Sequence, residues 1–202
     1  MTNRKYERPE VKQITKLWVK EYCKHVTERD MGLLQLLPER KLLRRNQIEI
    51  LYPKFASTDR LNKRLRKLYE LHVIDRIFPR VGPGEGSSQQ YICLDRAGII
   101  LLGLERYNKP ITTDVLGNKA LPLGWEHRVL INDYECHLVQ LMHELGGSIL
   151  AYESERPHSF GDTILIPDIF CLFKISKRGF MFFIEVDLGT EDIPRLKHKL
   201  NL

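Results

Sequence analysis

Nowhere does the chain hold a hydrophobic run near the roughly 18 residues that a membrane-spanning helix needs; stretches such as Ile99–Leu102 and Phe180–Ile184 are far too short. Cysteine is scarce and scattered. Cys23, Cys93, Cys136 and Cys171 form no C-x-x-C pair, which argues against a zinc site and a disulfide framework and predicts reduced, mostly buried thiols. Internal repeats and low-complexity blocks are missing. The opening MTNRKYERPEVKQ lacks the apolar block of a secretory signal, so the cytoplasm is the expected location. No motif points to a small-molecule substrate. What the 202 residues do hold, 43% hydrophobic and 29% charged, is the balance of a folded globular protein.

Acidic residues are short in one half and in excess in the other. Residues 1–110 carry 23 Lys and Arg against 13 Asp and Glu; residues 111–202 carry 9 against 13. The net charge of +6 therefore hides a basic half suited to a polyanion and an acidic half suited to another task. Between them, residues 107–124 (YNKPITTDVLGNKALPLG) are rich in Pro, Gly and Thr without periodicity, and predict a linker.

The basic half predicts helix, helix, helix, strand, loop, strand. Residues 1–26 form an N-terminal segment whose helix, Val11 to His25, places Val11, Ile14, Trp18 and Tyr22 on one face. That face either packs on the domain or pairs two copies into a homodimer, the reading preferred for DNA half-sites. Residues 27–106 form the domain itself. Thr27 with Asp30 predicts a capping box for a short helix ended by Pro38, and a second helix runs near Arg44–Tyr52. Ser57 or Thr58 caps a third, with Leu61, Leu65 and Leu68 inward and Asn62, Lys63, Arg66 and Lys67 outward. A strand at Val73–Phe78, a Gly/Pro/Ser loop, a strand at Tyr91–Leu94 and a helix capped by Asp95 complete it. The order is that of a winged helix-turn-helix, a module that binds double-stranded DNA and elsewhere docks proteins. The expected DNA contacts are Thr58, Asn62, Lys63, Arg64, Arg66 and Lys67 on the third helix, with Arg76 and Arg80 at the hairpin.

The acidic half, residues 125–202, predicts a helix from about Glu126 to Leu145, with a stripe of Leu130, Tyr134, Leu138, Leu141 and Leu145. Strands at Ser148–Tyr152, Ile164–Phe173 and Phe180–Val186 follow, two of them near-continuous apolar runs expected in a sheet covered on both faces. Asp168, Glu185 and Asp187 interrupt these runs. Burial would make such carboxylates costly unless hydrogen-bond donors or a metal ion met them. An Asp at a strand end, a hairpin and a carboxylate on the next strand is the layout of restriction-endonuclease-like PD-(D/E)xK nucleases, whose carboxylates hold Mg²⁺ or Mn²⁺. Here Asp187 stands where the lysine belongs, and Lys197 or Lys199 would have to replace it as the catalytic lysine. Glu126 and Glu144 are lesser metal candidates. His127 is either a satisfied core histidine or a ligand or base.

With both halves in view, the sequence resembles the replication-relaxation family of plasmids and mobile elements of Gram-positive bacteria. The resemblance runs from about Thr27 to the end. It rests on Y-I-C-L-D-R-A-G (Tyr91 to Gly98), H-R-V-L-I-N-D (His127 to Asp133), the P-D at Pro167 and Asp168, and E-V-D-L-G-T-E (Glu185 to Glu191) followed by Lys199 and Leu200. It implies an α+β protein, a DNA-binding winged helix joined to a nuclease-like α/β domain, that acts in replication or transfer of the element. The nuclease-like core normally continues with a helix and a strand, so a chain stopping at Leu202 is expected to hold a truncated domain or one that a partner completes. Two functions are compatible with this reading: a DNA-binding replication factor, or a metal-dependent endonuclease that nicks near an origin. The displaced lysine favours the first, the carboxylate trio the second.

Overall fold

The computed structural model describes residues 8–78, 89–105, 121, 124–161 and 163–188. The chain divides into two compact units, Met1–Trp125 and Glu126–Leu202. Most of the expected linker, 107–124, lies outside the described residues, as do Arg80, Lys197 and Lys199. The architecture is mixed α+β with small antiparallel sheets.

The first unit opens with α1 (Lys16–Tyr22), α2 (Glu28–Leu34), α3 (Leu37–Arg40), β1 (Leu43–Arg44) and α4 (Arg45–Leu51). It continues with α5 (Thr58–Glu70), β2 (Ile74–Ile77), β3 (Tyr91–Leu94) and α6 (Arg96–Leu101). Side-chain caps set the helix starts. Thr27 Oγ1 accepts from the Asp30 amide at 3.3 Å while Asp30 Oδ2 accepts from the Thr27 amide at 2.6 Å, a reciprocal box. Ser57 caps α5 by accepting from the Arg60 amide, and Asp95 caps α6 through the Arg96 amide. β3 is central in a three-stranded antiparallel sheet, pairing with β1 (Leu43 opposite Ile92) and β2 (Ile74 opposite Leu94). Leu33, Leu34, Leu61, Leu68, Ile74, Ile92 and Ile99 build the core above it.

Three local expectations change. The first helix is seven residues rather than Val11–His25, because Thr15 is extended and caps Trp18, so the chain enters the helix only at Lys16. Its Val19 is buried, and Ile14 and Trp18 pack on this unit's own core. Pro38 does not end a helix but sits in the first turn of α3, where its missing N–H is harmless. A two-residue strand, β1, fills the gap before α4.

The second unit comprises α7 (Trp125–Glu144), β4 (Ser148–Ser154), β5 (His158–Phe160), β6 (Thr163–Leu165), β7 (Ile169–Ile175) and β8 (Arg178–Ile184). Gly146 at φ +61° ends α7, and the Gly147 amide reaches back to the Met142 carbonyl. One antiparallel sheet has the order β4-β7-β8; β5 and β6 form a separate hairpin. The expected strand Ile164–Phe173 is thus two strands, broken around Pro167, which cannot donate to a ladder. Nor is the expected cover on both faces found among the described residues: Phe180, Met181 and Phe182 of β8 are exposed.

The buried face of α7 differs most from the sequence reading. Tyr134, Leu141 and Leu145 are exposed, while Arg128, Ile131, Asn132, Glu135 and Met142 are buried. With Val129 and Cys136 they make seven buried positions, of which Arg128, Asn132 and Glu135 are polar, so the buried face does not coincide with the leucine stripe. Ile131 packs with Ile169, Cys171 and Val186. Arg128 is satisfied by Ser154 Oγ at 3.2 Å and by an ion pair with Glu155.

Candidate nucleic-acid interface

Helix α5 is thirteen residues long and buries Leu61, Leu65 and Leu68 on one side. Its other side exposes Thr58, Asn62, Lys63, Arg66 and Lys67. Two of these cations have neighbours one turn away: Lys63 Nζ lies 2.8 Å from Asp59, and Arg66 Nε 2.9 Å from Glu70. Such exposed i, i+4 pairs are weak and readily exchanged for other anions.

Arg64 behaves differently from its neighbours. Its side chain turns inward, Nε donating to Asp30 Oδ1 at 2.7 Å and Nη2 to Asp30 Oδ2 and to the His25 carbonyl. Burial by itself would raise the Asp30 pKa, but hydrogen bonds from Arg64 and Thr27 outweigh it and hold the carboxyl below its ordinary value. The guanidinium expected on DNA is engaged within the fold.

Arg76, on β2, lies over the Tyr69 ring with its guanidinium carbon 4.9 Å from the centroid. Arg8 sits 5.0 Å from the same ring and is anchored by Asp95 and Asp75. His72 Nε2 donates to the Pro9 carbonyl at 2.9 Å, which fastens the segment ahead of α1 to the domain. Tyr69 and Arg76 also line a groove of about 540 Å³ between α5 and β2. Leu65, Tyr69 and Phe78 give its lining apolar surface; Asn62, Lys63, Arg66, Arg76 and Gln90 make the rest polar or cationic. Tyr69 and Phe78 were not among the sequence candidates. Their signal was present but slight: an aromatic beside the leucine stripe, and another where the strand meets the loop.

In the second unit, Asp168 stands just ahead of β7. Its Oδ2 accepts from the Val186 amide at 2.7 Å and lies 3.3 Å from His127 Nε2. His127 Nε2 also donates to the Val186 carbonyl at 2.8 Å. One carboxylate and one imidazole therefore tie the start of α7 to the chain just beyond β8. Glu185 and Asp187 are exposed. Among the described residues no group of three or more His, Cys, Asp and Glu side chains is arranged to hold a metal ion. The structure does not bring Asp168, Glu185 and Asp187 together as a donor set. Glu126 and Glu144 lie in the first and last turns of α7, both exposed.

All four cysteines are reduced and buried; burial pushes Cys23 up to about 11 and Cys93 up to about 12, and raises Cys171 as well.

No described helix is long and apolar enough to cross a membrane. No curated protein and no solved structure matches the chain. The family profile described as Replication-relaxation matches residues 34–201, which takes in all the strands, the exposed cations of α5, and Asp168 with its partners. On that match the chain belongs to the replication-relaxation family.

Proposed function

We propose that the protein binds double-stranded DNA through a winged helix-turn-helix in its first unit and acts in the replication or transfer of a plasmid or mobile element. The observation that carries the proposal is the composition of α5's two sides. Three leucines are buried on one, and Asn62, Lys63, Arg66 and Lys67 are exposed on the other. The order helix, strand, helix, helix, strand, strand around the sheet β1-β3-β2 supports α5 as the recognition helix, the element that such modules lay in the major groove. Arg76, next to the hairpin loop, would contact the adjacent backbone. The family supports the replication setting.

The test is fluorescence anisotropy with a short mixed-sequence duplex over a series of salt concentrations. Each lysine that neutralises a phosphate contributes about one unit to the slope of log affinity against log salt. A Lys63→Ala, Lys67→Ala double variant should bind more weakly at all sequences and flatten that slope by about two. Unchanged affinity and slope would refute the proposal.

A further inference from the structure

We infer that the groove between α5 and β2 holds one unstacked base of the bound DNA, with Phe78 as its stacking platform; this rests on the DNA-binding reading above and adds what that reading leaves out. Phosphate contacts need only cations and donors, and base edges in the major groove are read mainly by polar side chains. The groove offers a further element: solvent-exposed aromatic surface sharing the lining with Lys63, Arg66 and Arg76. Phe78, directly after β2, is 58% exposed, whereas Ile77 before it is buried. Of the two rings in the groove, Tyr69 already carries the guanidinium groups of Arg8 and Arg76. Phe78 is the ring left for a ligand. Lys63 and Arg66 in the same lining supply the charge for the phosphate of the same nucleotide. At about 540 Å³ the space falls in the range of small-ligand sites and admits a single nucleotide, not a double helix. A base must therefore leave its stack to enter, and one that is already unpaired enters at the least cost.

The experiment compares the full chain's affinity for a perfect duplex and for the same duplex carrying one bulged adenine, at equal salt. A second preparation has 2-aminopurine, whose fluorescence falls on stacking, at the bulge. The bulged DNA should bind about tenfold more tightly, the effect of one base–aromatic stack, with quenching on binding. Phe78→Ala should abolish the preference and the quenching, weakening the bulged DNA about tenfold more than the perfect duplex; Phe78→Trp should retain both. Lys63→Ala with Lys67→Ala should weaken both DNAs and keep the preference. Equal affinity for the two DNAs, or equal weakening of both by Phe78→Ala, overturns the base pocket while DNA binding stands. Failure of the wild-type chain to bind either DNA overturns the DNA-binding reading itself, and the pocket with it.

Discussion

Arg64 in the middle of α5 and Asp30 in α2 face each other as a fork on a carboxylate, with Nε 2.7 Å from Oδ1 and Asp30 wholly buried. The same carboxylate closes the Thr27 cap, so one side chain sets both the start of α2 and its attachment to α5. Removing one member of a buried pair strands the other, at a cost of about 3–5 kcal/mol. Arg64→Ala should lose stability on that scale, whereas Lys63→Ala, at an exposed position, should stay within about 0.5 kcal/mol of the parent. Urea unfolding of the two variants decides it; similar, small losses would show the pair to be superficial.

The same pair gives the acid limb of stability a definite sign. Asp30 has a lowered pKa in the fold, whereas in the unfolded chain it takes up a proton near pH 4, about the ordinary aspartate value. Below that point the unfolded state binds more protons than the folded one. The contribution is therefore complete above about pH 4 and disappears as pH falls through the folded pKa. Asp30→Asn should be less stable than the parent at neutral pH, with the gap narrowing in acid. A gap that stays constant down through this window would contradict the linkage.

Gly98 packs where α6 meets the start of β2. A Cβ there would press into the Val73 carbonyl oxygen, a backbone atom that cannot swing aside, beneath the bonds from Ala97 N to His72 O and Asp95 N to Val73 O. Gly98→Ala should cost about 1–3 kcal/mol, the range for overpacking. Gly179→Ala, with nothing within 4 Å of the added carbon, should be neutral or slightly stabilising. Thermal melts of both variants test the contrast, and equal melting temperatures would be the contrary result.

Asp168 is predicted to act on the fold of the second unit through its bond from the Val186 amide. Asp168→Ala should lower stability by about 1–3 kcal/mol, the cost of an unsatisfied buried group, even in EDTA. Asp168→Asn, whose side-chain oxygen still accepts, should recover most of it. If both variants melt like the parent in EDTA, while Mg²⁺ stabilises only the parent, the carboxylate serves a cation instead.

Helix ends in this chain are legible because they are chemical events within a few residues: Thr27 with Asp30, Ser57 before the leucine stripe, Asp95 before Arg96, Gly146 after α7. What the sequence hides depends on distant partners. β1 is two residues long and exists because Ile92 and Tyr91 stand beside it. The buried face of α7 is concealed because Arg128, Asn132 and Glu135 find polar partners in the fold. Arg64 lies on the flank of α5 by helical phase, and only the position of Asp30, thirty-four residues away, shows that it turns in. Asp168 is conspicuous in the sequence as a carboxylate beside a proline, but its bond to the Val186 amide requires the folded sheet.

Among the described residues β8 stands at the edge of its sheet, and Phe180, Met181 and Phe182 in it are exposed to solvent. Lys177 and Arg178 stand before this apolar stretch, Glu185 and Asp187 after it, all four exposed. Charges flanking an exposed apolar stretch of strand keep strands of neighbouring molecules from adding to it. Neutralising Glu185 and Asp187 together would therefore register first in the test tube as turbidity in concentrated solution. The two acidic side chains that attract notice as chemistry have a colloidal consequence: they help keep one molecule from becoming the seed of many.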